Sequence, residues 1–201
     1  MQWIGITGDL GAGKSSVANI IRQVGYLVLD ADKVVHDLYA QDLDLAKDLA
    51  NVLGEEILVN SHIDRQKLKD KILQDETKLP LVEKIVHPYV REYVEAWKNE
   101  HLHQDLLFYE IPLLFENELD AHFDAIVYVT ADEEIAAQRL QERNAWKQEE
   151  IQQRRKWLLD TSLKEGRSDY VIRNDGDLNH LENKVLALLN ELTKNYKSRK
   201  N

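Results

Sequence analysis

The sequence predicts an α/β fold: a parallel five-stranded sheet flanked by helices, carrying a helical insertion and a helical lid. Three observations predict it. Short β-rich runs alternate with stretches of helical periodicity, a glycine-rich loop stands between the first run and the first helix, and two long polar or helical stretches interrupt the alternation.

Residues 3–7 form a short apolar run that ends in glycines, and Val17, Ile20, Ile21 and Val24 then repeat at helical spacing. The chain therefore starts strand, loop, helix. Residues 26–29 read as a second strand, 106–111 and 125–130 as two more that precede helical patterning, and 170–173 as the last. Strands separated by helices argue for a parallel sheet covered on both faces.

The stretch from about 33 to 104 reads almost wholly as helix and is far longer than an ordinary connection, so substrate recognition is expected there. Within it Leu79, Val82, Ile85, Val86, Tyr89, Val90, Tyr93, Val94 and Trp97 form an apolar stripe, expected to be core. Pro88 interrupts the stripe and is expected to break or kink the helix after His87. Residues from about 139 to 164 are rich in Arg, Lys and Gln with scattered apolar positions, which suits a mobile lid. The last helix carries Leu178, Leu181, Val185, Leu188, Leu189, Leu192 and Tyr196 on one face, and 197–201 is a polar tail expected to fray.

With 201 residues, 43% of them hydrophobic, the chain is long enough for one elaborated domain. An excess of 36 acidic over 26 basic residues, net charge -10, opposes general binding to nucleic acid or an anionic membrane. An anionic ligand then needs a local basic pocket. The absence of cysteine excludes disulfides, thiolate metal sites and a cysteine nucleophile. No stretch is long and apolar enough for a membrane span, and the start lacks a basic, then apolar, leader. A cytoplasmic monomer acting on a small molecule is expected.

Residues Gly8, Asp9, Leu10, Gly11, Ala12, Gly13, Lys14 and Ser15 satisfy G-x-x-x-x-G-K-[ST] between a predicted strand and a predicted helix. Backbone N–H groups of such a loop, with the helix dipole behind them, cradle nucleotide phosphates. Lys14 reaches the outer phosphates and the Ser15 hydroxyl ligates Mg²⁺, so ATP and Mg²⁺ are the expected cofactors. Neither Asp-x-x-Gly nor Asn-Lys-x-Asp occurs, which weakens a GTPase assignment, and the chain is short for a motor. An ATP-dependent kinase is the expected class.

The second strand ends in Asp30, Ala31, Asp32, and the carboxyl end of a neighbouring strand opens onto the phosphate crevice. Asp32 can there orient an acceptor hydroxyl, take its proton and serve as a second candidate Mg²⁺ ligand; the alternative is helix capping. Arg139 and Arg143, four apart on a predicted helix, are candidates for neutralising the transferring phosphoryl group, with surface pairing as the alternative.

In these residues the chain resembles the dephospho-coenzyme A kinases over nearly its whole length. The resemblance rests on the glycine-rich loop through Ser16 and the Asp30, Ala31, Asp32 triplet followed by His36. It continues through Ile63, Asp64, Arg65 and Leu68, then His87 with Pro88, the IPLLFE run of 111–116, Arg139 with Arg143, and the DYVIRNDG run of 169–176. It implies transfer of the ATP γ-phosphate to the ribose 3′-hydroxyl of dephospho-coenzyme A. It implies catalytic roles for Asp32, Lys14 and Arg139, with Gly8, Gly11, Ala12, Gly13, Lys14, Ser15, Ser16, Arg139, Arg143 and Asn174 on ATP, Asn174 near its adenine. On the acceptor it implies Asp32, His36, Arg65, His87, Pro88, Pro112, Leu113, Leu114 and Glu116.

The chain departs from the family pattern at two places. Asp9 stands where the family usually has Gly, and Leu158 where alignment places a lid Gln. A carboxylate beside a phosphate loop weakens ATP binding unless a cation offsets it. The two departures motivate one alternative, a nucleotide-binding regulator with little turnover in which Asp9→Gly restores the rate; a kinase of another nucleoside or nucleotide on a similar scaffold is the other.

Overall fold

A computed structural model describes residues 1–200, with backbone alone at 144, 199 and 200. The chain divides into two compact units, one formed by Met1–Asp30 with Leu102–Asn201, the other by Ala31–His101. In the first, β1 (Gln2–Gly8) leads through the glycine-rich loop into α1 (Lys14–Gln23) and then β2 (Leu27–Asp30). The second unit contains α2 (Ala31–Gln41), α3 (Leu43–Leu53), β3 (Leu58–Val59), β4 (His62–Ile63), α4 (Arg65–Gln74) and α5 (Leu79–Glu100). The chain then returns to the first unit with β5 (Leu106–Glu110), β6 (Ala125–Thr130), α6 (Glu133–Asn144), α7 (Gln148–Arg155), α8 (Thr161–Gly166), β7 (Tyr170–Arg173) and α9 (Leu178–Lys200).

The five strands of the first unit pair in parallel in the order β2-β5-β1-β6-β7. Both faces are covered, which is why β5 and β6 read as near-continuous apolar runs, each closed by one polar residue, and are buried throughout. Ile4, Ile6, Phe108, Val127, Val129 and Ile172 pack with Val17 and Ile21 of α1 and with Leu181, Val185, Leu189 and Leu192 of α9. Elsewhere in the sheet, Trp3 stacks on Tyr109 and Phe123 at 5.5 and 5.8 Å between centroids. Because β5 and β6 flank β1 on opposite sides, the loop after β1 opens at the carboxyl ends of the strands, where the sheet's winding reverses.

The second unit is mostly helical, as its pattern predicts, with one addition. The pair β3–β4 is a short antiparallel hairpin whose turn residues, Asn60 and Ser61, have φ of 51 and 66°. Strands of two residues carry too little alternation to be seen in a sequence. Side-chain caps fix the starts of α3 and α4: Asp42 accepts from the Leu45 N–H at 2.8 Å, and Asp64 from those of Gln66 and Lys67 at 2.9 and 3.0 Å.

Three expectations need correction. Helix α5 runs unbroken through Pro88; Pro88 and Lys84, the residue whose carbonyl loses its partner, are both exposed, so water can satisfy that group. In the apolar stripe of α5 only Val82 and Val86 are buried, and Leu79 is 44% exposed. The polar tail is helical to Lys200, while Asn201 lies outside the described residues. No described helix is long and apolar enough to cross a membrane.

Candidate active site

The loop between β1 and α1 takes its shape from its glycines. Gly11 and Gly13 have φ of 80 and 94°, a region costly for residues with a side chain. At Gly13 a Cβ would also lie 2.4 Å from Asn174 Nδ2. A Cβ at Gly8 would lie 2.3 Å from the Val129 carbonyl oxygen, so β1 and β6 can pair closely there only without a side chain. Lys14 and Ser15 then stand in the first turn of α1, where the positive end of the helix dipole and free N–H groups favour an anion.

Lys14 and Ser15 converge on a carboxylate absent from the sequence-based site. Glu110, the last residue of β5, is 4% exposed. Its Oε1 accepts from Ser15 Oγ at 2.8 Å and lies 3.5 Å from Lys14 Nζ. Its Oε2 is buried with no hydrogen-bond partner among the described residues, the Arg22 guanidinium standing 3.7 Å away. A hydroxyl and a carboxylate side by side, one carboxylate oxygen left with spare capacity, form a hard-oxygen donor pair that suits Mg²⁺. One signal was available in the sequence: a lone acid closing the otherwise apolar run LLFYE.

A second group of contacts fixes the loop from behind. Asn174, 6% exposed, donates from Nδ2 to the Ala12 carbonyl at 2.8 Å, and its own N–H bonds the Thr130 carbonyl at 2.7 Å. Arg139 on α6 donates to the carbonyl of Asn174 at 2.9 Å and reaches that of Gly176 at 3.5 Å. Asn174 thus touches the loop directly, and Arg139 touches Asn174. Arg139 is committed to backbone carbonyls, so neutralising a phosphoryl group would require it to leave them. Arg143 is exposed one turn further along α6.

Asp9, the departure in the loop, is fully engaged. Its carboxylate accepts from Lys164 Nζ at 2.7 Å, from Thr130 Oγ1 at 2.9 Å and from Thr161 Oγ1 at 3.2 Å. Burial works to raise its carboxyl, but the hydrogen bond and charge of Lys164, with the nearby Tyr128 and Thr130 hydroxyls, outweigh it and hold the group below its ordinary 3.8. Burial, and next to it the Asp9 carboxylate, push the Tyr128 phenol well up, although its hydroxyl has no partner of good hydrogen-bond geometry among the described residues. Glu116 completes the cluster 3.8 Å from Lys164 Nζ and accepts from the Leu159 N–H at 3.2 Å.

The remaining acceptor-side candidates divide between the units. Pro112 and Leu113 follow β5, with Leu113 41% exposed. Leu114 has no exposed surface and packs against Gly5. In the second unit Arg65 bonds His36 at 3.1 Å, while His87 and Pro88 are exposed on α5. Asp32 stands exposed in the first turn of α2, two residues beyond β2, where an acid also suits the helix dipole.

The 139–164 segment, expected as a lid, has an apolar anchor that scattered residues concealed. Ile151 of α7 is fully buried with Ala137 and Leu140 of α6, and Leu10 of the loop packs on the same cluster. Arg154 covers Trp146 at 4.2 Å, and Arg155 pairs with Glu133 at 3.3 Å. Arg154 is thereby used inside the segment, and Arg155 ties it to the first turn of α6.

A parallel sheet in this order, a phosphate loop at its central strand and a buried carboxylate closing the adjacent strand define a kinase of the P-loop class. A shikimate kinase from Acinetobacter baumannii shares the fold, with TM-score 0.52 at 18% identity over 95% of this chain and 94% of that one. The family profile for dephospho-CoA kinase matches residues 2–180. Dephospho-CoA kinases of Protochlamydia amoebophila and Aquifex aeolicus are each 34% identical over 196 residues, covering 96% of this chain and 97% and 99% of theirs. A crystal structure of a Thermus thermophilus protein superposes with TM-score 0.79 at 33% identity, covering 95% of this chain and 97% of that one. The chain belongs to the dephospho-CoA kinase family.

Proposed function

We propose that the protein transfers the γ-phosphate of ATP to the ribose 3′-hydroxyl of dephospho-coenzyme A, giving coenzyme A and ADP, the last step of coenzyme A biosynthesis. The match to the dephospho-CoA kinase family over residues 2–180 carries this reading. The convergence of Lys14, Ser15 and Glu110 supports the nucleotide half of it.

ATP phosphates bind the loop backbone from Gly8 to Gly13, the N-terminus of α1, and Lys14, Ser15 and Ser16. Arg139, Arg143 and Asn174 serve the nucleotide from α6 and the end of β7. Ser15 and Glu110 would hold Mg²⁺, which when bound neutralises charge on the phosphoryl oxygens. Asp32 orients the acceptor hydroxyl. As the bond from the 3′-oxygen to the γ-phosphorus forms, the bond to the bridging oxygen breaks, ADP leaves, and Asp32 takes the hydroxyl proton late in the step. His36, Arg65, His87, Pro88, Pro112, Leu113, Leu114 and Glu116 are the acceptor contacts that the family resemblance supplies, Leu114 being buried against Gly5. The lid of 139–164 shields the γ-phosphate from water while it waits for an alcohol.

Mass and phosphorus NMR analysis of the product from Mg-ATP and dephospho-coenzyme A tests the reading. One added phosphate on the ribose 3′-oxygen is expected; phosphate at another position would overturn it. Pairing of Asp9 with Lys164 offsets the charge that had favoured a nucleotide-binding regulator with little turnover.

A further inference from the structure

A lysine nine-tenths or more buried is costly unless its charge is matched, and the Lys164 side chain is 4% exposed. Its ammonium is held by Asp9 at 2.7 Å and Glu116 at 3.8 Å and stands 5.5 Å from the Tyr128 ring centre. These partners come from different places in the fold: Asp9 from the phosphate loop, Glu116 from the turn beyond β5, Tyr128 from β6. Lys164 itself lies on α8, at the C-terminal end of the 139–164 segment, and Thr161 of the same helix also donates to Asp9. Asp9 in turn is fixed to the sheet, its N–H bonding the Val129 carbonyl at 2.9 Å and its own carbonyl receiving the Ala12 N–H at 3.1 Å.

We infer that Lys164 is a positioning residue for nucleotide binding: it is the internal counter-ion that lets a carboxylate occupy the phosphate loop, and it fastens the foot of the lid to that loop. Without the ammonium, Asp9 and Glu116 become two uncompensated acids near the place where an anion of several charges must bind. The loop's potential would then oppose ATP, and the hold of α8 on the loop would loosen. With it, the cluster carries one positive charge against two negative ones, both of them hydrogen-bonded, and the loop N–H groups and Lys14 set the local field.

The inference rests on the nucleotide half of the proposed function alone, and its test uses Mg-ATP without acceptor. Calorimetric binding is compared for the unaltered protein, Lys164→Met and the double variant Asp9→Gly with Lys164→Met. Lys164→Met is expected to weaken Mg-ATP binding about tenfold, and Asp9→Gly added to it to restore the affinity to within about threefold of the original. A lysine that merely filled space would give losses that Asp9→Gly leaves unrepaired. Undiminished affinity in Lys164→Met, or a loss that the second change does not repair, overturns the inference and leaves the kinase assignment standing. Failure of the unaltered protein to bind Mg-ATP would sink both. Should circular dichroism show Lys164→Met unfolded, Lys164→Gln, also uncharged, is measured in its place with the same outcomes expected.

Discussion

Glu110 sits where Ser15 and Lys14 meet, and a carboxylate there has two tasks: to hold the serine hydroxyl in place and to complete an oxygen donor set. Glu110→Gln keeps the shape and removes the charge. It is expected to lower kcat about a hundredfold and to raise the Mg²⁺ concentration needed for half-maximal rate, measured by titrating Mg²⁺ at fixed ATP. Unchanged Mg²⁺ dependence would assign Glu110 to packing alone. Asp32→Asn is expected to lower kcat about a hundredfold while ATP affinity moves less than about threefold, since the carboxylate acts on the acceptor hydroxyl; equal losses in both would make it chiefly a metal ligand. The loop itself was legible because its spacing is a local pattern. Glu110 and Lys164 were not: each is a single common residue, and only the pairing of β5 with β1 and the return of α8 to the sheet bring them to the loop.

Among the elements, the five strands of the main sheet and α1 and α9 followed from periodicity, because burial on both sheet faces or on one helix face writes itself into the sequence. Helix α5 shows where that stops. Its stripe is only partly covered and its proline is tolerated, since exposure of Pro88 and Lys84 lets water satisfy what the ring removes. Tyr89 of this helix donates to Asp48 of α3 at 2.7 Å. That hydrogen bond, then burial and the Asp48 charge, raise the phenol from its ordinary 10.0 to about 12. A raised folded value means the bond contributes fully below pH 10.0 and is lost as pH climbs through about 12. The difference in phenolate absorbance between the unaltered protein and Tyr89→Phe should therefore show a midpoint near 12; a midpoint near 10.0 would mean the pair does not persist in solution.

At the scale of the whole molecule, a chain of net charge -10 binds an anion by concentrating cations and N–H groups at one loop. The sequence made the loop and the polar 139–164 segment visible, but not the contacts that tie them together, Lys164 and Thr161 to Asp9 and Leu10 to the Ile151 cluster. With α8 fastened at Lys164, the closure proposed for 139–164 falls to the residues before α8. Hydrogen exchange across 139–164 is expected to slow when Mg-ATP and dephospho-coenzyme A are both present, and exchange indifferent to the pair would remove the lid from the mechanism. The central claim is the acceptor. ADP release should be followed with Mg-ATP and dephospho-coenzyme A, beside AMP, adenosine and no acceptor. Rapid release with dephospho-coenzyme A alone is the predicted result; equal or faster release with AMP or adenosine would contradict it and leave a P-loop kinase of another nucleoside or nucleotide.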